Sequence, residues 1–290
     1  MPSVAAFDPL QRALLEKRRD GAPGGVRRRL VAEGEGWRVL EVVCTAGPDD
    51  ADFEERRGWA SVSVVADGAF TYRDRNGAVL MTPGALLLGE ADQCFTCGHE
   101  HGEGDRCISF QLAPELLEDV ARECGARRAG FSGPRLAPSR KTARLVVRAL
   151  AARDEEAEEM TLALAASVLV LEGGAAPARV SAKDLARASE AARDMAACPE
   201  DGHSTADLAS RAGVSPFRFL RAFTAVVGVS PHQFLLRVRL RRAALALRTT
   251  SDAVTDIAYG VGFGDLSNFT NAFKAEFGAS PRAWRKAVSK

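Results

Sequence analysis

The sequence predicts an α+β chain, with a β-rich segment first, helices after it and an all-α C-terminal region. Three observations carry this. Between residues 26 and 112, short apolar runs alternate with glycine turns. From Pro114 onward, apolar residues recur at helical spacing. Beyond Ser181, glycines and Ser-Pro pairs interrupt the helices in a pattern that occurs twice.

Residues 1–25 read as an amphipathic helix, Pro9–Arg19, followed by a GAPGG linker. Residues 26–172 read as one domain. Its strand candidates include Trp37–Cys44, Trp59–Ala66 and Ala85–Leu88, with turns at Asp67-Gly68, Asn76-Gly77 and Pro83-Gly84. Many short strands between glycine turns predict a small sandwich or barrel. Three helices follow, over Pro114–Gly125, Ser139–Ala152 and Glu155–Leu171. Proline opens the first and glycine closes it. Ser139 is an N-cap candidate for the second. The third carries a stripe of Leu162, Ala165, Ala166 and Leu169, which suits a core or a dimer face. Residues 173–180, with GGAAPA at 173–178, read as an interdomain linker, and 181–290 as the C-terminal domain.

A length of 290 residues accommodates two modest domains, each with a core. No apolar run approaches the ~20 residues that span a bilayer, and the N-terminus lacks a signal-peptide pattern. A cytoplasmic protein with no membrane partner is expected. The six cysteines are then expected to be reduced, so a cluster of them points to metal or redox chemistry before structural disulfides. The net charge of +1 hides an asymmetry. Ser181–Lys290 holds 16 Lys/Arg against 10 Asp/Glu, while the remainder holds 23 against 28. A basic C-terminal part suits a polyanion, and equally a solvated surface of uneven charge.

In that part, Ser204 caps a short helix, Thr205–Ala212. Gly213 supplies a turn, and Ser215-Pro216 opens the next helix, Pro216–Val227. This is the design of a helix-turn-helix, whose second helix is free to enter a major groove. Gly228 ends that helix, and Ser230-Pro231 starts a long one to Arg248, ~27 Å at the helical rise. The pattern then repeats. Val254–Gly260 is short, Gly262-Phe263-Gly264 turns, Leu266–Phe277 is a second recognition candidate, and Ser280-Pro281 opens a last helix. Successive major grooves on one face of a duplex lie ~34 Å apart, which gives the long spacer a mechanical reason. Leu208, Phe219, Phe223, Ile257, Ala258, Phe269, Phe273 and Trp284 fall at core spacing. Arg237, Arg239, Arg241 and Arg242 on the spacer suit either backbone phosphates or pairing with protein acids.

The segments DLASRAGVSPFRFLRAFTAVVGVSPHQFL, RLRRAALALR and VTDIAYGVGFGDLSNFTNAFKAEFGASPRAWR resemble the AraC/XylS DNA-binding domain along Ser204–Ala287. The resemblance implies a seven-helix domain in which both recognition helices touch double-stranded DNA. It also implies an N-terminal sensor and dimerisation domain of cupin-like β-barrel type, a homodimer, and RNA polymerase as a candidate partner. By position, it implies that Ser215, Phe217, Arg218, Leu220 and Arg221 form the first reading surface. Leu266, Ser267, Thr270 and Asn271 form the second. Arginine pairs with guanine edges or phosphates, asparagine favours adenine, and leucine can touch thymine methyls. Asn271 stands where the family often carries arginine, which makes the second unit the weaker reader.

The segment CFTCGHEHGEGDRC, Cys94–Cys107, concentrates three cysteines and two histidines among glycines. Thiolate and imidazole suit a tetrahedral zinc ion, with Cys97, His99, His101 and Cys107 as the ligand set and Cys94 as a substitute. A hydrogen-bonded loop without metal, and a redox switch through Cys94 with Cys97 or Cys107, are the alternatives. The signal for a DNA-binding regulator is therefore a small molecule, a metal or an oxidant at the N-terminal domain. A functional alternative is a metal- or redox-dependent cupin enzyme, or an alkyl-accepting cysteine protein, fused to a DNA-binding domain. The absence of an acid–base set around the cluster favours the regulator, and no catalytic residue is assigned.

Overall fold

The strand β2 (Trp37–Cys44) alternates buried and half-buried positions, as expected for a strand packed on one face. It pairs antiparallel with β1 (Val26–Gly34) on one side and β9 (Asp105–Leu112) on the other. Next to β9 come β4 (Ala60–Gly68), β7 (Leu86–Gly89) and the two-residue β10 (Arg135–Leu136), completing a six-stranded sheet. A second sheet has the order β3 (Glu54–Arg56), β8 (Cys94–Gly98), β5 (Phe70–Asp74), β6 (Gly77–Met81). The computed structural model describes residues 9–50, 54–100, 102–152, 154–171 and 180–288; the expected linker 173–180 lies almost entirely outside them.

The two sheets share a core in which Val65, Leu87 and Cys107 of the first meet Phe70, Tyr72 and Met81 of the second. The chain crosses between sheets at Gly68 (φ +75°), where an added Cβ would lie 2.3 Å from the Gly104 carbonyl oxygen. Asn76-Gly77 closes the β5–β6 hairpin as expected. Gly77 has φ +126°, and Asp74 accepts from the Asn76 amide at 2.7 Å.

The expected cupin-like closed barrel does not form. Both sheets are open, ending in β1 and β10 in one and β3 and β6 in the other. Closure requires edge strands that exchange a hydrogen-bonded ladder. Here the edge strands β3 and β10 each pair on one side only, with β8 and β7, and no ladder joins the two sheets among the described residues. Strand count and glycine turns do not distinguish a closed sheet from two open ones.

Helix α1 (Pro9–Asp20) buries Leu10 and Ala13 against Val43. It is tethered by Asp50, whose carboxylate accepts from Lys17 Nζ at 2.8 Å, Gly24 N at 2.6 Å and Gly47 N at 2.8 Å. These donors, Lys17 foremost, hold the Asp50 carboxyl at about 2. Helices α2 (Pro114–Glu123), α3 (Arg140–Ala151) and α4 (Ala157–Leu171) follow, with a 3-10 turn at Asp154–Glu156. The buried stripe of α4 is Met160, Thr161, Leu164, Ala165, Val168 and Leu169. Leu162 and Ala166, expected in it, are only half-buried. A helix apolar almost all round gives no clear phase from periodicity.

The chain divides into two units, Met1–Leu136 with Ala152–Ala182, and Ala137–Ala151 with Lys183–Lys290. Thus α3 clusters with the C-terminal helices: α5 (Ala182–Ala197), α6 (Thr205–Arg211), α7 (Pro216–Val227), α8 (Pro231–Thr249), α9 (Val254–Gly260), α10 (Leu266–Phe277) and α11 (Pro281–Val288). Val147 of α3 is part of the core formed by Leu240, Ala243, Ala244 and Leu247 of α8 with Phe269, Phe273 and Phe277 of α10.

Candidate functional site

The C-terminal unit is assembled from local capping signals. Ser204 accepts from the Asp207 amide at the start of α6, and Ser215 from the Arg218 amide at the start of α7. Between them Gly213 takes φ +64°, the left-handed turn that separates the two helices. Gly228 (φ +90°) closes α7. A capping box of Ser230 and Gln233 opens α8. The second unit repeats this with Gly262 (φ +91°) in the turn, Asp265 accepting from the Asn268 amide at 2.6 Å, and Gly278 (φ +72°) at the end.

The caps set which faces look outward. On α7, Phe219 and Phe223 are buried; their rings lie tilted 5.7 Å apart, and Phe223 meets Phe234 edge-on at 5.9 Å. Ser215, Arg218, Leu220 and Arg221 are exposed, and Thr224 continues that face. The side chain of Phe217 lies outside the described residues. On α10, Phe269, Phe273 and Phe277 are buried, while Ser267, Asn268, Asn271 and Lys274 are exposed. Thr270 is half-buried, and Leu266 packs partly against the core. Asn268 and Lys274 were absent from the sequence-based set. Their signal is the i, i+3/i+4 spacing with Ser267 and Asn271.

The spacer arginines are largely committed to the fold. Arg239 donates to Pro199 O at 2.6 Å and to Asp201 O at 3.0 Å, just beyond α5. Arg242 donates to the last-turn carbonyls of α5, Ala196 O and Ala197 O. Cations belong at a helix C-terminus, where the unpaired carbonyls concentrate negative potential. Arg237 lies 3.3 Å from the buried Glu276 carboxylate, and Arg241 is buried.

In the N-terminal unit a second constellation forms between the sheets. Cys44 ends β2, Asp105 begins β9, and the two are register partners. His99 follows β8, and its Nε2 lies 2.7 Å from Asp105 Oδ1. Cys44, His99 and Asp105 are buried, and one donor atom from each lies within 4.8 Å of the others. The group is a plausible metal-binding site of the kind that suits zinc. Of the expected ligands, the fold brings only His99 into this trio. Cys107 is hydrogen-bonded to Asp105 Oδ2 at 3.3 Å, Cys97 lies in β8, and His101 is outside the described residues. Burial opposes a charged His99 ring, but Asp105 and Cys44 more than offset it and push His99 up to about 9. Burial also pushes the Cys97 and Cys107 thiols well above their ordinary range, which leaves them poor nucleophiles.

Two capped helix pairs joined by a long helix define a tandem helix-turn-helix module. Residues 208–287 match the helix-turn-helix domain family. Over 88 residues the chain is 38% identical to the HTH-type transcriptional regulator MtrA of Neisseria gonorrhoeae, covering 30% of this chain and 29% of that one. Over 59 residues it is 48% identical to the HTH-type transcriptional activator RhaS of Enterobacter sp. (strain 638), covering 20% and 21%. A solved structure from Chromobacterium violaceum, a regulator with an AraC-type DNA-binding domain, is 30% identical. It covers 38% of this chain and 98% of that one, with a TM-score of 0.35. The C-terminal domain is of the AraC/XylS helix-turn-helix type. The chain spans about a third or less of the length of the curated relatives it matches. Among the described residues no helix is long and apolar enough to cross a membrane.

Proposed function

We propose that the full chain is a sequence-specific DNA-binding transcription regulator that uses α7 and α10 as paired reading helices and receives a signal in its N-terminal unit. The observation that carries this is the outward polar face on each of two helices, one on either side of α8, a spacer helix of 19 residues. That spacer is ~28 Å long, commensurate with the ~34 Å groove repeat of a duplex. Arg218 and Arg221 supply guanine or phosphate contacts in the first groove, with Ser215, Phe217 and Leu220 beside them. Ser267, Thr270 and Asn271 supply the second, and the partial burial of Leu266 leaves that helix fewer reading groups. The relatives are regulators by name and RhaS is an activator, which supports a non-enzymatic role and RNA polymerase as a partner. A homodimer and a cytoplasmic location complete the proposal.

The test is binding of the full chain to a duplex selected from a random pool, measured by anisotropy at fixed salt beside a scrambled duplex. Arg221→Ala is expected to weaken binding to the selected duplex by about 1–3 kcal/mol and to reduce discrimination between the two. Equal losses on both would confine Arg221 to the phosphate backbone. A wild-type chain with no preference for the selected duplex would overturn the function.

A further inference from the structure

We propose that Cys44, His99 and Asp105 form a three-donor site for a zinc-class ion, with its remaining coordination position open to the interior cavity of the N-terminal unit. Four observations converge on it. The donors are a thiol, an imidazole and a carboxylate, the set that borderline transition ions prefer over calcium or magnesium. All three are buried, with relative exposures of 5%, 3% and 5%. His99 Nδ1 is buried and has no hydrogen-bond partner among the described residues, so the ring keeps a donor atom to spare. Asp105 is oriented from outside the trio by the Cys107 thiol on its second oxygen, the kind of outer partner that fixes a ligand carboxylate.

The backbone around the trio is built for close approach. Gly68 sits with φ +75° against Gly104 O and Asp105 Cα, where a Cβ would come within 2.3 and 2.6 Å. Gly104 (φ +71°) lies so near Cys44 that its own Cβ would fall 2.8 Å from the Cys44 carbonyl oxygen. These two glycines let the ends of β2, β4 and β9 converge, which is what sets Cys44 beside Asp105. Cys44 and Asp105 also line a cavity of about 420 Å³ between the sheets, with Cys107, Arg57 and Trp59 elsewhere on its wall. With two of the three donors on the cavity wall, a three-donor set leaves one tetrahedral position for an exchangeable ligand on that side. Binding a divalent ion displaces the Cys44 thiol proton and any proton on the ligating His99 nitrogen to the buffer, and no oxidant or reductant is needed.

The full chain, reduced and stripped with chelator, is titrated with cobalt(II) as a spectroscopic stand-in and then with zinc in competition. The expected result is one ion per chain, a thiolate-to-cobalt charge-transfer band, and displacement of cobalt by zinc. Cys44→Ser is expected to abolish that band, and Asp105→Asn to lower affinity on the order of 100-fold, since even outer-shell losses cost 10–100-fold. Substituting the exposed Cys94 or Cys198 by serine leaves both unchanged. Thiocyanate, a small coordinating anion, is expected to shift the cobalt spectrum through the open position. If the Cys44 or Asp105 variant does not fold, the wild-type stoichiometry, band and thiocyanate shift still decide the matter. Absence of one-to-one binding, a cobalt spectrum without a thiolate band, or loss of the band on substituting Cys94 or Cys198 would overturn the site. No response to thiocyanate would overturn the open position.

Discussion

Replacing Phe273 with alanine is expected to destabilise the C-terminal unit by about 3–5 kcal/mol, the range for emptying an aromatic position in a closed core. Phe273 is fully buried on α10. Its ring centroid lies 5.5 Å from that of Phe269, 4.7 Å from Phe277 and 6.0 Å from Trp284. Four rings packed this way cannot collapse into the vacated space without moving α11, which is held by the bond from Trp284 Nε1 to Ala244 O at 3.3 Å. Urea unfolding followed by tryptophan fluorescence reads the loss. A change under 1 kcal/mol would mean that the second helix-turn-helix unit does not rest on this cluster.

Glu276→Ala is expected to cost about 2–4 kcal/mol, because removing one member of a buried ion pair strands the other. The Glu276 side chain is 5% exposed and faces Arg237 at 3.3 Å and Arg140 at 3.5 Å. Arg237 is the partner left with little water around it, since Arg140 is well exposed. The ion-pair distances are long, which places the cost below that of a tightly hydrogen-bonded buried pair. Glu276→Gln is expected to recover part of the loss by retaining shape and one acceptor. Equal stability of the alanine variant and the parent, in the same urea experiment, would show that α3 and α8 are not joined through this carboxylate.

What was legible in the sequence was what local chemistry decides. Ser204, Gly213, Ser215, Gly228, Ser230, Gly262 and Gly278 mark helix ends through groups within four residues of each other, and each takes part in the expected cap or turn. The phenylalanines at helical spacing are buried for the same reason. Non-local pairing was not legible. Whether strands close into a barrel depends on which edges meet, and short edges such as β3 and β10 look like any other strand in sequence. The interior cluster shows the same limit. Spacing pointed to a loop that supplies all its own ligands, whereas the fold draws Cys44 from 55 positions before His99 through strand register, and recruits Asp105 from inside the loop. A lone cysteine at a strand end carries no signal of that partnership. The spacer arginines suit phosphates or protein acids equally in the sequence, yet Arg239 and Arg242 serve carbonyls at the end of α5, because such acceptors leave no mark in a sequence.

The most direct test of the central claim, that both helix-turn-helix units read one duplex, is methylation-interference mapping of the full chain on its selected site. Two clusters of interfering bases are expected on one face of the duplex, centred about one helical turn or ~10 bp apart. Interference in the first cluster should weaken on Arg221→Ala and in the second on Asn271→Ala. A single cluster, or a second one that is unchanged by substitution of Asn271 and of its neighbour Ser267, would contradict a paired reading of the DNA.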